Sequence, residues 1–177
     1  MKSRETPVQN LEVSHFVSNV AHLGNLRQLK ALDISSAAFT EADLAAIAAM
    51  ANLEHLVLPR CTFTDAGVSR LAALRHLKYL WVNCSHDSPL TDTALAAISR
   101  MQELEELHIA GTGFTNQGIA LLRGLDHLSA LHLVFWPGLD NETLRLLAGL
   151  PALRELSWAS SDHVTLSGLN ALNDAIG

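Results

Sequence analysis

Leucine recurs along this chain at a nearly constant spacing. The pattern L-x-x-L-x-L begins six times, and successive copies start 24, 24, 27, 24 and 25 residues apart. All the template positions are apolar, an order that chance does not produce in a chain that is 49% hydrophobic. The copies begin at Leu29, Leu53, Leu77, Leu104, Leu128 and Leu153, and a weaker, shorter copy begins at Val8. The period predicts a stack of similar structural units.

Each unit combines strand periodicity with helix periodicity. In "LEHLVL", Leu56 and Leu58 alternate with other residues, which is typical of a strand with both side chains on one face. In "TDAGVSRLAAL", Val68 and Leu71 recur at helical spacing, and Thr64 occupies the N-cap position. The equivalent N-cap positions hold Thr40, Thr91, Thr115, Asp140 and Thr165. Because neither element can bury its apolar side alone, stacking is expected to create a strand layer, a helix layer and a core between them.

These units resemble the leucine-rich repeat. The stretches "TFTDAGVSRLAAL" and "GFTNQGIALLRGL" are most similar to the bacterial and ribonuclease-inhibitor-like types, and the resemblance runs from about residue 8 to 172. It implies an α/β solenoid, a right-handed β-α superhelix with a parallel concave sheet and helices on the convex side. A single domain is expected over 1–177, with a short repeat and cap at 1–28, six repeats at 29–172 and a tail at 173–177. The inward position after each strand, which is Asn in many families, holds Ala37, Cys61, Ser85, Thr112, Trp136 and Ser161.

Both ends of such a stack need a cap, because a solenoid otherwise exposes its core. The segment 14–26 is expected to form the first helix, and Trp158 is expected to close the far end from the core face of the last strand. The last repeat is expected to fray, to pair with a second copy or to continue in a longer protein. The chain is therefore predicted to be a monomer or a weak homodimer through the C-terminal repeat.

Side chains that alternate with the inward leucines point to the concave face. Since neighbouring strands lie about 4.8 Å apart, equivalent positions form rows across the sheet. The first predicted row is Asn10, Ala31, His55, Tyr79, Glu106, Ala130 and Glu155. The second predicted row is Glu12, Asp33, Val57, Trp81, His108, His132 and Ser157.

The middle of these rows is rich in rings, and Glu106 lies beside them. Tyr and Trp are enriched at binding hot spots, so this region is predicted to bind a partner; the alternative is that the rings merely cover the sheet. The loops at 83–90, 134–139 and 159–164 are longer than the equivalent loops of other repeats and follow the strands at one edge of the sheet. They are interpreted either as contact loops or as tolerated variation in length. Phe135 is predicted to be exposed there, whereas Trp136 is predicted to turn into the core. The predicted partner-binding residues are His55, Tyr79, Trp81, Glu106, His108, His132 and Phe135.

Composition excludes some classes of function. The net charge of −6 without a long run of like charge argues against a nucleic-acid partner. No stretch approaches about 18 unbroken apolar residues, so no membrane span or membrane partner is expected. The polar N-terminus lacks the apolar stretch of a signal peptide, which favours a cytoplasmic location, or the host cytosol for a secreted effector. Cys61 and Cys84 are expected to be thiols rather than a disulfide, with Cys61 buried.

Nine histidines raise the question of a metal site. His108 and His132 share a row, and His86 and Asp87 lie in the loop at 83–90. The sequence contains no close ligand pair such as H-x-x-x-H or C-x-x-C, so no metal and no cofactor are predicted. Cys84 lies near His86, but no orienting carboxylate or oxyanion hole is evident. The chain is therefore predicted not to be an enzyme, and a metal- or Cys-dependent enzyme is kept as an alternative.

The function predicted from these features is protein recognition through the concave face and the adjacent loops. One setting is an immunity or inhibitor protein that blocks a toxin. The alternatives are a secreted bacterial effector that uses its repeats as a substrate adaptor, and a subunit or scaffold of a bacterial complex.

Overall fold

The computed structural model describes residues 8–13, 20–35, 39–61, 64–84, 90–134, 136–159 and 161–176. Seven strands in these ranges form one parallel sheet, in the order in which they occur along the chain. They are β1 (Asn10–Val13), β2 (Ala31–Ile34), β3 (His55–Cys61), β4 (Tyr79–Cys84), β5 (Glu106–Ala110), β6 (Ala130–Val134) and β7 (Glu155–Trp158). Each strand pairs only with its neighbours in sequence, which confirms the predicted leucine-rich-repeat solenoid.

Helices alternate with these strands. They are α1 (Glu41–Ala48), α2 (Asp65–Leu71), α3 (Asp92–Ile98), α4 (Asn116–Ala120), α5 (Asn141–Leu147) and α6 (Leu166–Ile176). A 3₁₀ helix at Leu121–Gly124 extends α4, and another at Val20–Asn25 forms the described part of the predicted first helix. Helix α6 includes residues 173–176, which were predicted to be part of a C-terminal tail. None of the described helices is long and apolar enough to cross a membrane.

Some sequence predictions concern residues outside the described ranges. These are residues 14–19 of the first helix, Ala37, Ser85, His86, Asp87 and Phe135, together with the side chain of Cys84.

The N-cap residues predicted from the sequence begin the helices. Each has an extended backbone, and its side chain accepts a hydrogen bond from a backbone N–H of the first turn: Thr40, Thr64, Thr91, Thr115 and Asp140. Thr165 acts in the same way before α6, where Gly168 N donates to Thr165 Oγ1 at 3.4 Å. These caps satisfy N–H groups that have no partner within the helix.

A second set of polar contacts links the start of each helix from α2 to α5 to the start of the next helix. The Asp65 carboxylate accepts hydrogen bonds from Thr91 N at 2.9 Å and from Thr91 Oγ1 at 2.5 Å. Asp92 holds Thr115 in the same way, at 2.8 and 2.5 Å. We call this series the cap ladder, and its members are Asp65–Thr91, Asp92–Thr115, Asn116–Asp140 and Asn141–Thr165. It fixes the spacing of the repeats on the helix side.

The core lies between the sheet and the helices. The inward template residues of β2 to β6 are all buried, and most have no exposed surface. On the outermost strand, β7, Leu156 and Trp158 are half-buried and pack against the same core. This pattern confirms the predicted direction of the leucines, because a slip of one residue would have exposed them.

The inward positions after the strands differ from one repeat to another. Cys61 is buried, and Trp136 is 3% exposed, with Nε1 donating to Phe114 O at 3.0 Å; both predictions are confirmed. The prediction for Thr112 is wrong, because its side chain is exposed. In this repeat the ring of Phe114 packs directly against Gly111 and fills the corner.

The cap ladder predicts a strong difference between two glycines. A Cβ at Gly118 would collide with the Asp92 carboxylate, whereas a Cβ at Gly124 would have no atom within 4 Å. We expect Gly118→Ala to lower the free energy of unfolding by about 1–3 kcal/mol, and Gly124→Ala to leave it unchanged or raise it by up to about 1 kcal/mol. Chemical denaturation followed by circular dichroism measures both, and equal effects would contradict the packing described.

Candidate functional site

Strand register brings the predicted site residues together. Along the first row, His55 lies opposite Tyr79, and Tyr79 lies opposite Glu106. Along the second row, Trp81 lies opposite His108, which lies opposite His132. Both predicted rows are therefore present on the sheet face turned away from the helices, which we call the open face.

Five aromatic side chains form a continuous cluster across β3 to β6. We call it the ring stack, and it contains His55, Tyr79, Trp81, His108 and His132. Ring centroids are 4.0 Å apart for His55–Tyr79, 5.1 Å for Trp81–His108 and 3.9 Å for His108–His132, with interplanar angles of 13°, 25° and 21°. A tilted contact of 5.4 Å between Tyr79 and His108 joins the two rows. All five side chains are half-buried, so each presents part of its surface to solvent.

Carboxylates contact the histidine end of the ring stack. Glu106 Oε1 lies 2.6 Å from His108 Nε2 and 3.7 Å from His132 Nε2. On the other side of His132, Nδ1 lies 2.6 Å from Ser157 Oγ, and Glu155 Oε1 lies 3.9 Å from Nε2. The two rows thus place two imidazoles, two carboxylates and a hydroxyl within one small area.

Partial burial favours the uncharged forms of three of these side chains, His55, Tyr79 and His132. Burial lowers the pKa of His55 and of His132, because it disfavours the imidazolium form. For His55 the nearby carboxylates of Asp33 and Glu106 act in the opposite direction. Burial also raises the pKa of Tyr79, with the same two carboxylates adding to the shift. At neutral pH, His55, Tyr79 and His132 are therefore mainly neutral surfaces for stacking.

An open cavity adjoins the other end of the ring stack. It has a volume of about 400 Å³ and is lined by Asn10, Leu11, Glu12, Ala31, Leu32, Asp33 and His55. Asp33 lines this cavity, and its Oδ1 is a buried atom without a hydrogen-bond partner among the described residues.

Three residues of the site were not selected from the sequence. Asp33, Glu155 and Ser157 belong to the predicted rows, but they lie on β2 and β7, beyond the strands that carry the rings. The usable signal was their place in the rows: the register sets Ser157 opposite His132 on the next strand. Phe135 was selected, and it lies outside the described residues.

Comparison with known proteins shows which solved structures have a similar fold. No protein-family model matches the sequence, and no curated protein matches it. An internalin (inlF) from Listeria monocytogenes shares 23% identity with a TM-score of 0.63, over 88% of this chain and 49% of the internalin. Internalin C2 (inlC2) from the same organism shares 24% identity with a TM-score of 0.59, over 80% of this chain and 56% of that one. The plant peptide hormone receptor RGFR1, solved in complex with RGF2, shares 16% identity with a TM-score of 0.53, over 88% of this chain and 25% of the receptor.

These likenesses and the seven-stranded parallel sheet show that the chain has the leucine-rich-repeat fold. It spans about half the length of the internalin structures that it resembles.

The lowered pKa of His55 predicts a pH effect on stability. Because the folded state binds this proton less readily than the unfolded state, stability should fall as the pH drops below about 6.5. We expect the melting temperature of His55→Gln to decrease less than that of the wild type between about pH 7.5 and about pH 5.5. His127 is exposed in a loop outside the sheet, and His127→Gln should keep the wild-type dependence. Identical curves for the two variants would contradict the assignment.

Proposed function

We propose that this protein is a recognition module that binds a segment of a protein partner along the ring stack. The observation that carries this proposal is the ring stack itself. Aromatic side chains cover four adjacent strands on a face that the core does not use, and they remain partly exposed. Aromatic residues that contribute large contact areas at low cost in side-chain entropy are typical of binding hot spots.

Charge narrows the class of partner. The two rows contain four carboxylates, at Glu12, Asp33, Glu106 and Glu155, and neither row contains Lys or Arg. A partner segment that carries Arg or Lys would gain ion pairs with these groups, and its cation can lie over the Tyr79 and Trp81 rings. Asp33 lines the open cavity, and its carboxylate adds negative charge there.

The comparisons support binding rather than catalysis. Leucine-rich repeats typically serve in protein binding, and one protein of similar fold is a peptide hormone receptor described in complex with RGF2. For this chain we propose the role of a cytoplasmic inhibitor or immunity protein, which covers a basic segment of its partner and blocks it. In this proposal none of the residues of the ring stack acts as a catalytic group.

Removal of two rings tests the location of the site. Peptides selected from a random phage-displayed library on the wild-type chain serve as probes. We expect Tyr79→Ala combined with Trp81→Ala to weaken their binding at least about 30-fold, since each truncation removes a hot-spot contact. The control is Gln117→Ala combined with Leu121→Ala, exposed positions on the helix side, which should keep wild-type affinity. Fluorescence anisotropy gives the affinities.

Two outcomes would overturn this location. Unchanged affinity in the folded double variant would place the binding site elsewhere. Selected peptides that do not compete with one another and do not bind the open face would also place the binding site elsewhere. If the double variant unfolds, Tyr79→Ser alone and Trp81→Ser alone decide the question.

A separate change tests the charge argument. We expect Asp33→Asn to weaken the binding of Arg-containing peptides about tenfold, because it removes the negative charge while keeping the shape of the side chain. Asp126→Asn, in an exposed loop, is the matched control. Binding curves recorded at low and high salt should show a weaker salt dependence for Asp33→Asn, and an unchanged dependence would exclude an ion pair at this position.

A further inference from the structure

We propose that Glu106, His108 and His132 form a binding site for one divalent transition-metal ion, with Zn²⁺ as the typical occupant. Each side chain offers one ligand atom, and the three atoms all lie within 4.8 Å of one another. The site belongs to the chain alone, and it does not depend on the proposed recognition of a partner.

The distances match a tetrahedral site after small movements. Nitrogen and oxygen ligands lie about 2.0–2.1 Å from Zn²⁺, which sets neighbouring ligand atoms about 3.3 Å apart. Glu106 Oε1 is 2.6 Å from His108 Nε2 and 3.7 Å from His132 Nε2. One separation must widen and the other must shorten, each by less than about 1 Å. The side chains of His108 and His132 are 20% and 14% exposed, so they have room to move toward solvent and adjust these separations.

Ser157 supplies outer support for one ligand. His132 Nδ1 lies 2.6 Å from Ser157 Oγ, and the side chain is thereby held at the end away from Glu106. When Nδ1 donates its proton to Ser157, Nε2 carries the lone pair that a metal ion requires. Metal-ligating histidines commonly have an outer hydrogen bond of this kind.

The contact between His108 and Glu106 contains a proton that the metal ion can replace. The short distance from His108 Nε2 to Glu106 Oε1 is that of an N–H donating to a carboxylate. Metal binding puts the ion in the place of this proton, which moves to Nδ1 if the ring is neutral and to solvent if the ring is an imidazolium. The two imidazole rings, now 21° from parallel, must turn toward one another to share the ion. Because Trp81 stacks on His108 at 5.1 Å, this rotation should also change the environment of the indole.

The donor set selects the kind of ion. Two imidazoles and one carboxylate suit Zn²⁺, Co²⁺, Ni²⁺ or Cu²⁺, whereas Ca²⁺ and Mg²⁺ prefer sets composed of oxygen. The negative charge of Glu106 offsets part of the charge of the ion, and the Glu155 carboxylate, with Oε1 3.9 Å from His132 Nε2, adds negative charge nearby. Three protein ligands leave a coordination position for water or for an incoming side chain.

The sequence predicted no metal ion, because no two candidate ligands have the spacing along the chain that is typical of metal-binding motifs. The structure joins them across strands instead, with His108 opposite His132 in the register. Glu106 lies on the same strand two residues before His108, and both point to the open face.

Titration of the full-length chain with Zn²⁺ by isothermal calorimetry tests the proposal. We expect one ion per chain, with affinity at least about tenfold lower in His132→Ala and in Glu106→Gln. His127→Ala removes an exposed histidine elsewhere and should keep wild-type affinity and stoichiometry. Ser157→Ala should weaken binding about tenfold through loss of the outer hydrogen bond, and Ca²⁺ should give no saturable heat. Added Co²⁺ should produce visible absorption bands in the wild type that are absent in His132→Ala.

Two results would overturn the proposal. The first is a Zn²⁺ affinity that is the same in the wild type, His132→Ala and Glu106→Gln, because the ion would then lie at other histidines. The second is no saturable binding of Zn²⁺ or Co²⁺ by the folded wild-type chain. Circular dichroism confirms folding, and if His132→Ala does not fold, Glu106→Gln and Ser157→Ala decide. Peptide binding is measured separately in the presence of a chelator. The proposed metal site and the proposed recognition of a partner can therefore be contradicted independently of each other.

Discussion

Parallel pairing of strands that are one repeat apart is the constraint on which the rest of the structure depends. Each repeat donates backbone hydrogen bonds to the one before it. Lys78 N and Tyr79 N both donate to Glu54 O, at 2.8 and 3.1 Å, and Glu106 N donates to Lys78 O at 3.0 Å. This register turns the leucines inward and the rings outward in one step, since a shift of one residue would exchange the two faces. Core and candidate site are therefore two sides of the same pairing.

The cap ladder imposes a matching order on the helix side. Asp65 and Asp92 each bind the Thr that begins the following helix, so repeats are joined by polar contacts at one layer and by the strand ladder at the other. The ring stack lies outside both systems. Its side chains can consequently be specialised for contact with other molecules without weakening the connections that hold the repeats together.

The sequence was sufficient for everything that follows from period and alternation. It predicted the strands, the N-caps and both rows of the open face, because the repeated leucines determine register. It did not predict the turn of the Glu106 side chain onto His108, since side-chain rotation leaves no periodic trace. Thr112 was misplaced because one fixed offset was applied to every repeat, while Phe114 fills that corner instead. The cap ladder left a readable signal, an Asp or Asn directly after the cap at 65, 92, 116 and 141.

The extent of the ring stack has a consequence for how the protein unfolds. In a solenoid each repeat touches only its neighbours, so opening can begin at one end and advance repeat by repeat. The ring stack crosses β3 to β6, and a molecule lying along it would contact repeats that do not touch one another. Loss of any one of those repeats would then also release the bound molecule. Occupancy of the open face would thereby convert gradual fraying into a single cooperative transition.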